Sequence, residues 1–278
     1  MGNKKKRKIK WRNILLLLFF IVSIIGLVYS IVNILIWSKD NKNVNKEIVE
    51  INEVIEIEEH VDNEATEVIE QEEEIPKFNP YWDYIKMNLI DVDFKELKDV
   101  NSNVIGWIQV GGTNINYPFV QANDNNYYLK HSFDKSYNQT GWLFMDYRNS
   151  NTEFDKNTII YGHSLTRGTM FGTLKNILKN NWQSNTNNHI VKLSTEYENT
   201  LWQVFSIYTI PNTSDYLKIN FSTDDDFKKF TDLLIGRSEY NFNTSVGNND
   251  KILTLSSCYK NSDNKIVLHA KLIKAEKK

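Results

Sequence analysis

The sequence predicts a mostly β protein: a closed or nearly closed barrel of about eight strands, preceded by one transmembrane helix. Three observations lead to this fold class. Residues 13–38 contain no charged side chain. Most of the aromatic residues lie after residue 76. In that C-terminal part, short segments of strand-forming residues alternate with polar turns and little helix, which is the pattern of a β-barrel.

The N-terminus has the features of an uncleaved signal-anchor. Residues 1–12 carry a charge of +7 and no acid, and the uncharged run at 13–38 exceeds the roughly 20 helical residues that span a bilayer core. A cleaved signal peptide is the alternative, but its apolar region is shorter, and Trp37-Ser38-Lys39-Asp40 is a poor cleavage site. We therefore expect a cytoplasmic tail at 1–12, one transmembrane helix at 13–38, and the rest of the chain outside the cell.

The next segment, at 39–75, differs in composition from both of its neighbours. It carries a charge of −11 and contains no Gly, Trp, Phe or Tyr, so it has too little apolar surface to fold alone. A helical stripe of apolar residues would suit a short oligomeric stalk, and it consists of Ile48, Ile51, Val54, Ile55 and Val61. We favour instead a solvated acidic spacer over 39–75, which lifts an outer domain at 76–278 off the membrane.

The composition of the outer domain excludes several classes of function. Its net charge is +2, so no strong field attracts nucleic acid, and its roughly 200 residues suffice for one well-buried core. It has no glycine-rich phosphate loop, no CxxC and no HExxH motif, and a single cysteine makes a structural zinc site hard to build. We therefore expect no cofactor, no metal and no nucleic-acid partner.

The outer domain opens with helical patterns and continues with strands. Apolar residues at Ile85, Leu89 and Ile90 have helical spacing, and a second short helix fits 93–100. The predicted strands are 104–110, 114–120, 141–147, 157–162, 189–193, 201–210, 251–257 and 265–273. Two helices interrupt them, at 171–179 and at 222–236. The second starts at the N-cap residues Ser222 and Thr223, with three aspartates in its first turn.

Cys258 is the only cysteine of the chain, and it ends a strand. By the period of two, Thr254, Ser256 and Cys258 share one face, while Leu253 and Leu255 share the other. The apolar face is therefore not the one that carries the cysteine, which disfavours a buried structural role. The chain offers no partner for an intramolecular disulfide. A nucleophilic thiol, however, needs a base or a cation nearby.

Five histidines are available as that base. His60 lies in the acidic spacer, and His131 and His189 have ordinary structural settings. His269 lies on the strand after Cys258, while His163 ends the strand "TIIYGH" just ahead of a long loop. Spacing alone does not choose between His163 and His269.

Several segments resemble one known family. "TLSSC" (254–258) resembles the TLxTC signature of sortases, and "YGHS…MFG" resembles their histidine segment. Residues 104–134 and 141–175 are similar to class B sortases throughout, as are the helices ahead of the barrel and the helix near 222–235, which that class inserts between two late strands. The resemblance covers roughly 81–273. It implies a sortase-type closed β-barrel.

The resemblance also implies a function, that of a cysteine transpeptidase of the Gram-positive surface. Cys258 would attack the backbone carbonyl of a C-terminal sorting motif in a secreted protein, giving a thioacyl-enzyme. His163 would protonate the leaving amine and deprotonate the incoming one, an amine of a peptidoglycan precursor or cross-bridge. Ser256, Asn125 and Leu129 resemble substrate-contacting positions of the family.

The sequence departs from the family at its third catalytic residue, an arginine on the strand after the cysteine. No arginine follows Arg237, and the aligned position is Lys265. Lysine offers a cation to an oxyanion but lacks the planar fork of arginine. Three alternatives stay open: Lys265 does the work at a reduced rate, Arg167 in the loop after His163 substitutes for it, or the enzyme is impaired. We favour the first.

Two other functions compete with the transpeptidase. One is a cysteine peptidase that acts by hydrolysis, although the papain-like order places the cysteine before the histidine, the reverse of Cys258 and His163. The other is a catalytically impaired, sortase-like binding module at the surface, which only the missing arginine favours. Ligation of a peptide to an added amine distinguishes the transpeptidase from both.

Overall fold

The structure is a computed structural model that describes residues 11–60, 81–165, 167–258 and 264–278, without the side chains of His60 and Cys258. The chain divides into two compact units, Met1–Asn43 and Val44–Lys278. The described residues do not include most of the basic tail predicted at 1–12. They also leave out the C-terminal half of the acidic segment predicted at 39–75.

The first unit consists of the N-terminal part of a long helix, α1 (Trp11–Val54). At 1.5 Å per residue, its 44 residues reach about 66 Å, more than twice the thickness of a bilayer core. Its apolar side chains over 14–36 are mostly exposed, as expected of a surface that lipid covers. In the part of the chain that is described, α1 is the one helix long and apolar enough to cross a membrane.

The second unit contains short helices and strands. The helices after α1 are α2 (Tyr81–Tyr84), α3 (Lys95–Val100), α4 (Asn180–Gln183) and α5 (Asp224–Gly236), with 3₁₀ turns at Tyr127–Leu129, Phe171–Leu178 and Thr186–Asn188. The strands are β1 (Ile57–His60), β2 (Leu89–Val92), β3 (Val104–Val110), β4 (Asn116–Val120), β5 (Phe144–Met145), β6 (Asn157–His163), β7 (Ile190–Thr195), β8 (Glu198–Pro211), β9 (Ile252–Cys258) and β10 (Asn264–Lys277).

Eight of these strands close into a barrel, which confirms the predicted fold class. Their order around the barrel is β10-β8-β7-β3-β4-β5-β6-β9. The pairs β4–β5 and β6–β9 are parallel, and the other neighbours are antiparallel. The barrel is filled by large apolar side chains, among them the fully buried Trp107, Trp142 and Trp202. Each such side chain contributes roughly 1.5–3 kcal/mol by leaving water.

Helix α5 lies where the sequence predicts a helix, at 222–236, and covers part of the outside of this barrel. Thr223 is its N-cap, because its side-chain oxygen accepts a hydrogen bond of 3.1 Å from the backbone N–H of Asp226. Its apolar stripe, Phe227, Phe230 and Leu234, is buried in a second cluster, against outward-facing side chains of β8, β9 and β10. The outer face of β9, which carries the polar residues Thr254 and Ser256, is therefore buried as well.

Two N-terminal expectations differ from the structure. The helical spacing of Ile85, Leu89 and Ile90 does not produce a long helix: α2 ends at Tyr84, and Leu89 and Ile90 belong to β2. The reason is tertiary, since β2 pairs with β1 in a two-stranded sheet. The second expectation is the solvated spacer at 39–75. In the structure this range contains β1, and the part of α1 that lies in it contributes Val44 and Ile51 to the main core.

The part of α1 in the second unit also carries a pH-sensitive carboxyl group, that of Glu47. Its Oε1 accepts a hydrogen bond of 2.6 Å from the backbone N–H of Asp134. Burial raises the pKa of Glu47 from 4.5 to about 7, and the hydrogen bond opposes only part of that rise. Because the folded state holds the proton more tightly than the unfolded chain, the resulting stabilisation is complete below pH 4.5 and is lost as the pH rises through about 7.

We therefore expect Glu47→Gln to stabilise residues 44–278 at pH 8 by about 1–3 kcal/mol, and to have a much smaller effect at pH 4.5. Glutamine keeps an oxygen for the N–H of Asp134 and removes the charge. Urea unfolding at the two pH values measures the difference. Glu53→Gln is the matched control, because Glu53 is an exposed carboxylate further along the same helix. An equal effect of Glu47→Gln at both pH values would contradict the assignment.

Candidate active site

The pairing of β6 with β9 brings the predicted catalytic histidine and cysteine to the same place. The two strands run parallel and in register, from Asn157 opposite Ile252 to His163 opposite Cys258. Neighbouring strands lie about 4.8 Å apart, so the final residues of both strands are backbone neighbours. The residues are 95 positions apart in the sequence. The fold, and not local sequence, creates this juxtaposition.

Gly162, the residue before His163, lets β6 reach this position. A Cβ at Gly162 would lie 2.3 Å from Cδ2 of Leu143 and 2.8 Å from the ring of Phe171, distances that no real Cβ contact has. Both of those side chains are fully buried. Glycine therefore permits the end of β6 to pack against the barrel core while His163 follows it at the rim.

His163 is 9% exposed, and its ring contacts a backbone carbonyl. Its Nε2 lies 2.9 Å from the carbonyl oxygen of Leu129, at the end of the 3₁₀ turn Tyr127–Leu129. Leu129 was predicted as a substrate contact. In the structure its side chain packs against the main core, and its carbonyl holds the histidine.

His269, the alternative base, has a different environment. It is fully buried, and both ring nitrogens have partners: Nε2 lies 2.8 Å from the Tyr208 hydroxyl and Nδ1 lies 2.9 Å from the Thr254 hydroxyl. Burial, assisted by the charge of Arg237, lowers the pKa of His269 to about 3. His269 is the register partner of Thr254 in the β9–β10 pair. Thr254 lies four residues before Cys258, so His269 is about 13 Å from the cysteine along the strand.

Ser256 and Asn125, the other predicted substrate contacts, both have hydrogen-bond partners within the protein. Ser256 is fully buried, and its Oγ lies 2.9 Å from the hydroxyl of Tyr216, which is also fully buried. Asn125 lies ahead of the 3₁₀ turn, and its Oδ1 accepts a hydrogen bond of 3.0 Å from the backbone N–H of Tyr147. Ser256 is thus two residues from Cys258 but covered, whereas Asn125 is only partly buried.

The two candidate cations lie on different elements. Lys265 is the second residue of β10, partly buried, and pairs across the ladder with Ile210 of β8. On its other side, β10 pairs with β9 as far as Val267 opposite Ser256, so Lys265 and Cys258 each lie two residues beyond this last pair. Arg167 is an exposed residue in the loop after β6, four positions beyond His163.

Three features of the site had no signal in the sequence: the Leu129 carbonyl, the Tyr216 hydroxyl over Ser256, and Gly141. Gly141 has φ +62°, and a Cβ on it would lie 2.9 Å from Cδ2 of His163. A backbone carbonyl carries no residue signature, and Tyr216 comes from the connection between β8 and α5.

Within the described ranges, no group of three or more His, Cys, Asp and Glu side chains is arranged to hold a metal ion.

Comparison with known proteins agrees with this architecture. The sortase domain family model matches residues 108–273. Sortase B of Staphylococcus aureus is 34% identical over 184 residues, which are 65% of this chain and 75% of that protein. A solved Staphylococcus aureus sortase B–substrate complex has a TM-score of 0.61 at 34% identity, over 65% of this chain and 84% of that one. A sortase B crystal structure complexed with triglycine gives 0.62 at 34% identity, over 65% and 85%. With its closed barrel and its histidine and cysteine in register, this chain belongs to the sortase family, within class B.

Proposed function

We propose that this chain cleaves a C-terminal sorting motif of secreted proteins through a thioacyl intermediate on Cys258 and transfers the acyl group to a peptidoglycan amine. One observation carries the proposal: His163 and Cys258 are register partners at the ends of adjoining parallel strands, in a barrel of the sortase family. The solved sortase B structures with a substrate and with triglycine support the same two-step chemistry.

In the first step, the sulfur of Cys258 attacks the scissile carbonyl and the peptide amine leaves. His163 takes the thiol proton and supplies a proton to the departing nitrogen. In the second step, the incoming amine gives a proton to His163 and attacks the thioester, which releases the sulfur. His163 is preferred over His269 because it shares the register position of Cys258, whereas His269 is weakly basic, buried and about 13 Å away along the strand.

Lys265 is proposed as the cation that stabilises the oxyanion of each tetrahedral intermediate. The β9–β10 pairing supports this role, since Lys265 and Cys258 each lie two residues beyond its last pair, Val267 opposite Ser256. A lysine ammonium is a compact point charge and lacks the two parallel donors of a guanidinium. We therefore expect the site to work below the rate that an arginine would allow. Arg167 is the alternative donor.

We expect Lys265→Ala to lower kcat/KM on the order of 10²-fold, because the oxyanion loses its cation, and Lys265→Arg to raise it above that of the unchanged enzyme. Peptide-cleavage kinetics measure both effects. Lys277→Ala, at the exposed far end of the same strand, is the matched control and should be neutral. Near-normal turnover in Lys265→Ala, together with a large loss in Arg167→Ala, would move the role to Arg167.

Ser256, Asn125 and Leu129 remain proposed substrate contacts. Ser256 reaches a substrate only when the Tyr216 hydroxyl leaves it, because both side chains are buried against one another in the free protein. For Leu129, we propose that the side chain contacts substrate while its carbonyl holds His163. Asn125 and Leu129 are both partly buried, so each has some accessible surface for such a contact.

The proposed partners and location follow from the family and from α1. We propose a single-pass membrane protein with its N-terminal tail in the cytoplasm and its catalytic domain outside, where secreted proteins and peptidoglycan precursors meet it. The apolar part of α1 supports the anchor, and the basic residues of the first twelve positions support the orientation.

The test is product analysis of the full chain in detergent, incubated with a panel of sorting-motif peptides in the presence and absence of triglycine. A peptide ligated to triglycine is the expected product. Hydrolysis alone, unchanged by triglycine, would identify a cysteine peptidase instead. No reaction with any peptide by either the unchanged enzyme or Lys265→Arg would favour the impaired binding module, to which the missing arginine points.

A further inference from the structure

The hydrogen bond at His163 determines which ring nitrogen carries a hydrogen. Its Nε2 lies 2.9 Å from the carbonyl oxygen of Leu129. A carbonyl oxygen accepts hydrogen bonds and has no hydrogen to give. Whenever this bond is made, Nε2 must be the donor, in the neutral ring as well as in the charged one. The hydrogen that the ring gains and loses is then the one on Nδ1.

The Leu129 carbonyl is itself fixed by the backbone around it. The N–H of Leu129 donates to the carbonyl of Asn126, and the N–H of Lys130 donates to that of Tyr127, which closes the 3₁₀ turn. The Tyr128 carbonyl accepts from the N–H of Trp142 at 3.0 Å. The segment that presents the acceptor to His163 is therefore tied at successive residues and has little freedom to turn away.

Gly141 supports the carbonyl and the ring at once. It has φ +62°, a conformation that favours glycine. A Cβ at this position would lie 2.5 Å from the carbonyl oxygen of Tyr128, 3.0 Å from that of Leu129 and 2.9 Å from Cδ2 of His163. The backbone of Gly141 thus packs directly against both members of the hydrogen bond, and any side chain there would push them apart.

We propose that the Leu129 carbonyl and Gly141 are positioning groups that hold His163 as its Nε2–H tautomer, so that Nδ1 performs the proton transfers of both catalytic steps. This inference rests on the proposed roles of Cys258 and His163. The thiol proton passes to Nδ1 as sulfur attacks the scissile carbonyl, and Nδ1 returns it to the departing nitrogen. In the second step, Nδ1 takes a proton from the incoming amine and delivers it to the released sulfur. The hydrogen on Nε2 stays in place throughout.

The direct test is ¹⁵N NMR of the histidine rings in the full chain, labelled at histidine and held in detergent micelles. The His163 signals are identified by their loss in His163→Gln. In the neutral ring we expect the hydrogen on Nε2 and an unprotonated Nδ1. A hydrogen on Nδ1, or an even mixture of both tautomers, overturns the proposal. The measurement needs no turnover, so it stands apart from the test of the proposed function.

A second test changes Gly141 and uses another glycine as its control. In Gly141→Ala we expect a mixture of tautomers at His163 and a fall in kcat of about 10²-fold, with KM little changed, because the base is displaced. Gly112→Ala is the matched control: Gly112 also has a positive φ of +66°, and its added Cβ would crowd Asn188, away from the site. It should leave both the tautomer and kcat unchanged.

The outcomes separate this inference from the proposed function. A folded Gly141→Ala protein with the tautomer and kcat of the unchanged enzyme refutes the positioning role. Should Gly141→Ala fail to fold, the tautomer of the unchanged enzyme decides the matter alone. Triglycine ligation combined with a hydrogen on Nδ1 would leave the function standing and this inference refuted. A fixed Nε2–H tautomer without any acyl transfer would refute the proposed function and the proton transfers by Nδ1 with it, and would leave only the positioning of the ring.

Discussion

Cys258→Ala is expected to abolish peptide cleavage and amine transfer, with a fall in turnover on the order of 10⁴- to 10⁶-fold. The loss is that large because no other side chain of the chain can form the thioester: Cys258 is its only cysteine. The measurement is steady-state cleavage of a sorting-motif peptide in the presence of triglycine.

The control for Cys258→Ala is a measurement of whether the variant still folds. Cys258 ends β9, and its backbone pairs with that of His163, so an alanine can keep the pairing. We expect thermal unfolding close to that of the unchanged protein. Cys258→Ser, which keeps a weaker nucleophile in the same place, should also be almost inactive. Appreciable transfer by a folded Cys258→Ala protein would mean that the chemistry lies elsewhere.

His163→Ala is the second large effect, and we expect kcat/KM to fall by about 10²- to 10⁴-fold. Without the imidazole, the thiol has no base beside it and the departing amine has no acid. His163→Gln retains a polar group near Leu129 but transfers no protons, so it should be as impaired as the alanine variant.

The matched control is His269→Gln. His269 is fully buried between Tyr208 and Thr254, so its replacement should lower the stability of the fold more than the rate of the surviving folded enzyme. If His269→Gln removed turnover from a stable protein and His163→Ala did not, the roles of the two histidines would be reversed.

The fold class was predictable because strand signals in this sequence are local. The segment 104–110 is predicted at the bounds that β3 has, and the cap of α5 was recognisable from Thr223 and the aspartates after it. The predicted strand at 141–147 is only Phe144–Met145 in the structure. Gly141 adopts a positive φ there, and its N–H donates to the carbonyl of Asn138 instead of to a strand.

The N-terminal part was less predictable because its structure depends on distant partners. The acidic segment has a composition typical of a solvated spacer, and nothing local marks Ile57–His60 as a strand. Pairing with β2, and the packing of Val44 and Ile51 against the core, stabilise structure that this segment could not form alone. The same pairing makes Leu89 and Ile90 part of a strand despite their helical spacing.

At the site, the residues proposed to carry the chemistry stand out in the sequence, and the groups that hold them do not. Cys258 and His163 have side chains whose reactivity can be inferred from residue type. The Leu129 carbonyl belongs to the backbone, which is the same at every position, and Tyr216 lies over Ser256 only because the connection between β8 and α5 folds back across the barrel. Such groups become visible only when the chain is folded.

The thioacyl intermediate on Cys258 can be detected by intact-mass spectrometry of the full chain, incubated with the peptide panel and no added amine. We expect an added mass equal to the acyl fragment of one peptide, located on Cys258 by peptide mapping and absent from Cys258→Ala. Triglycine added afterwards should remove it as the ligated product. Cleavage of a peptide that never leaves an acyl mass on Cys258, even when the reaction is quenched early, would show that Cys258 does not form the thioacyl intermediate.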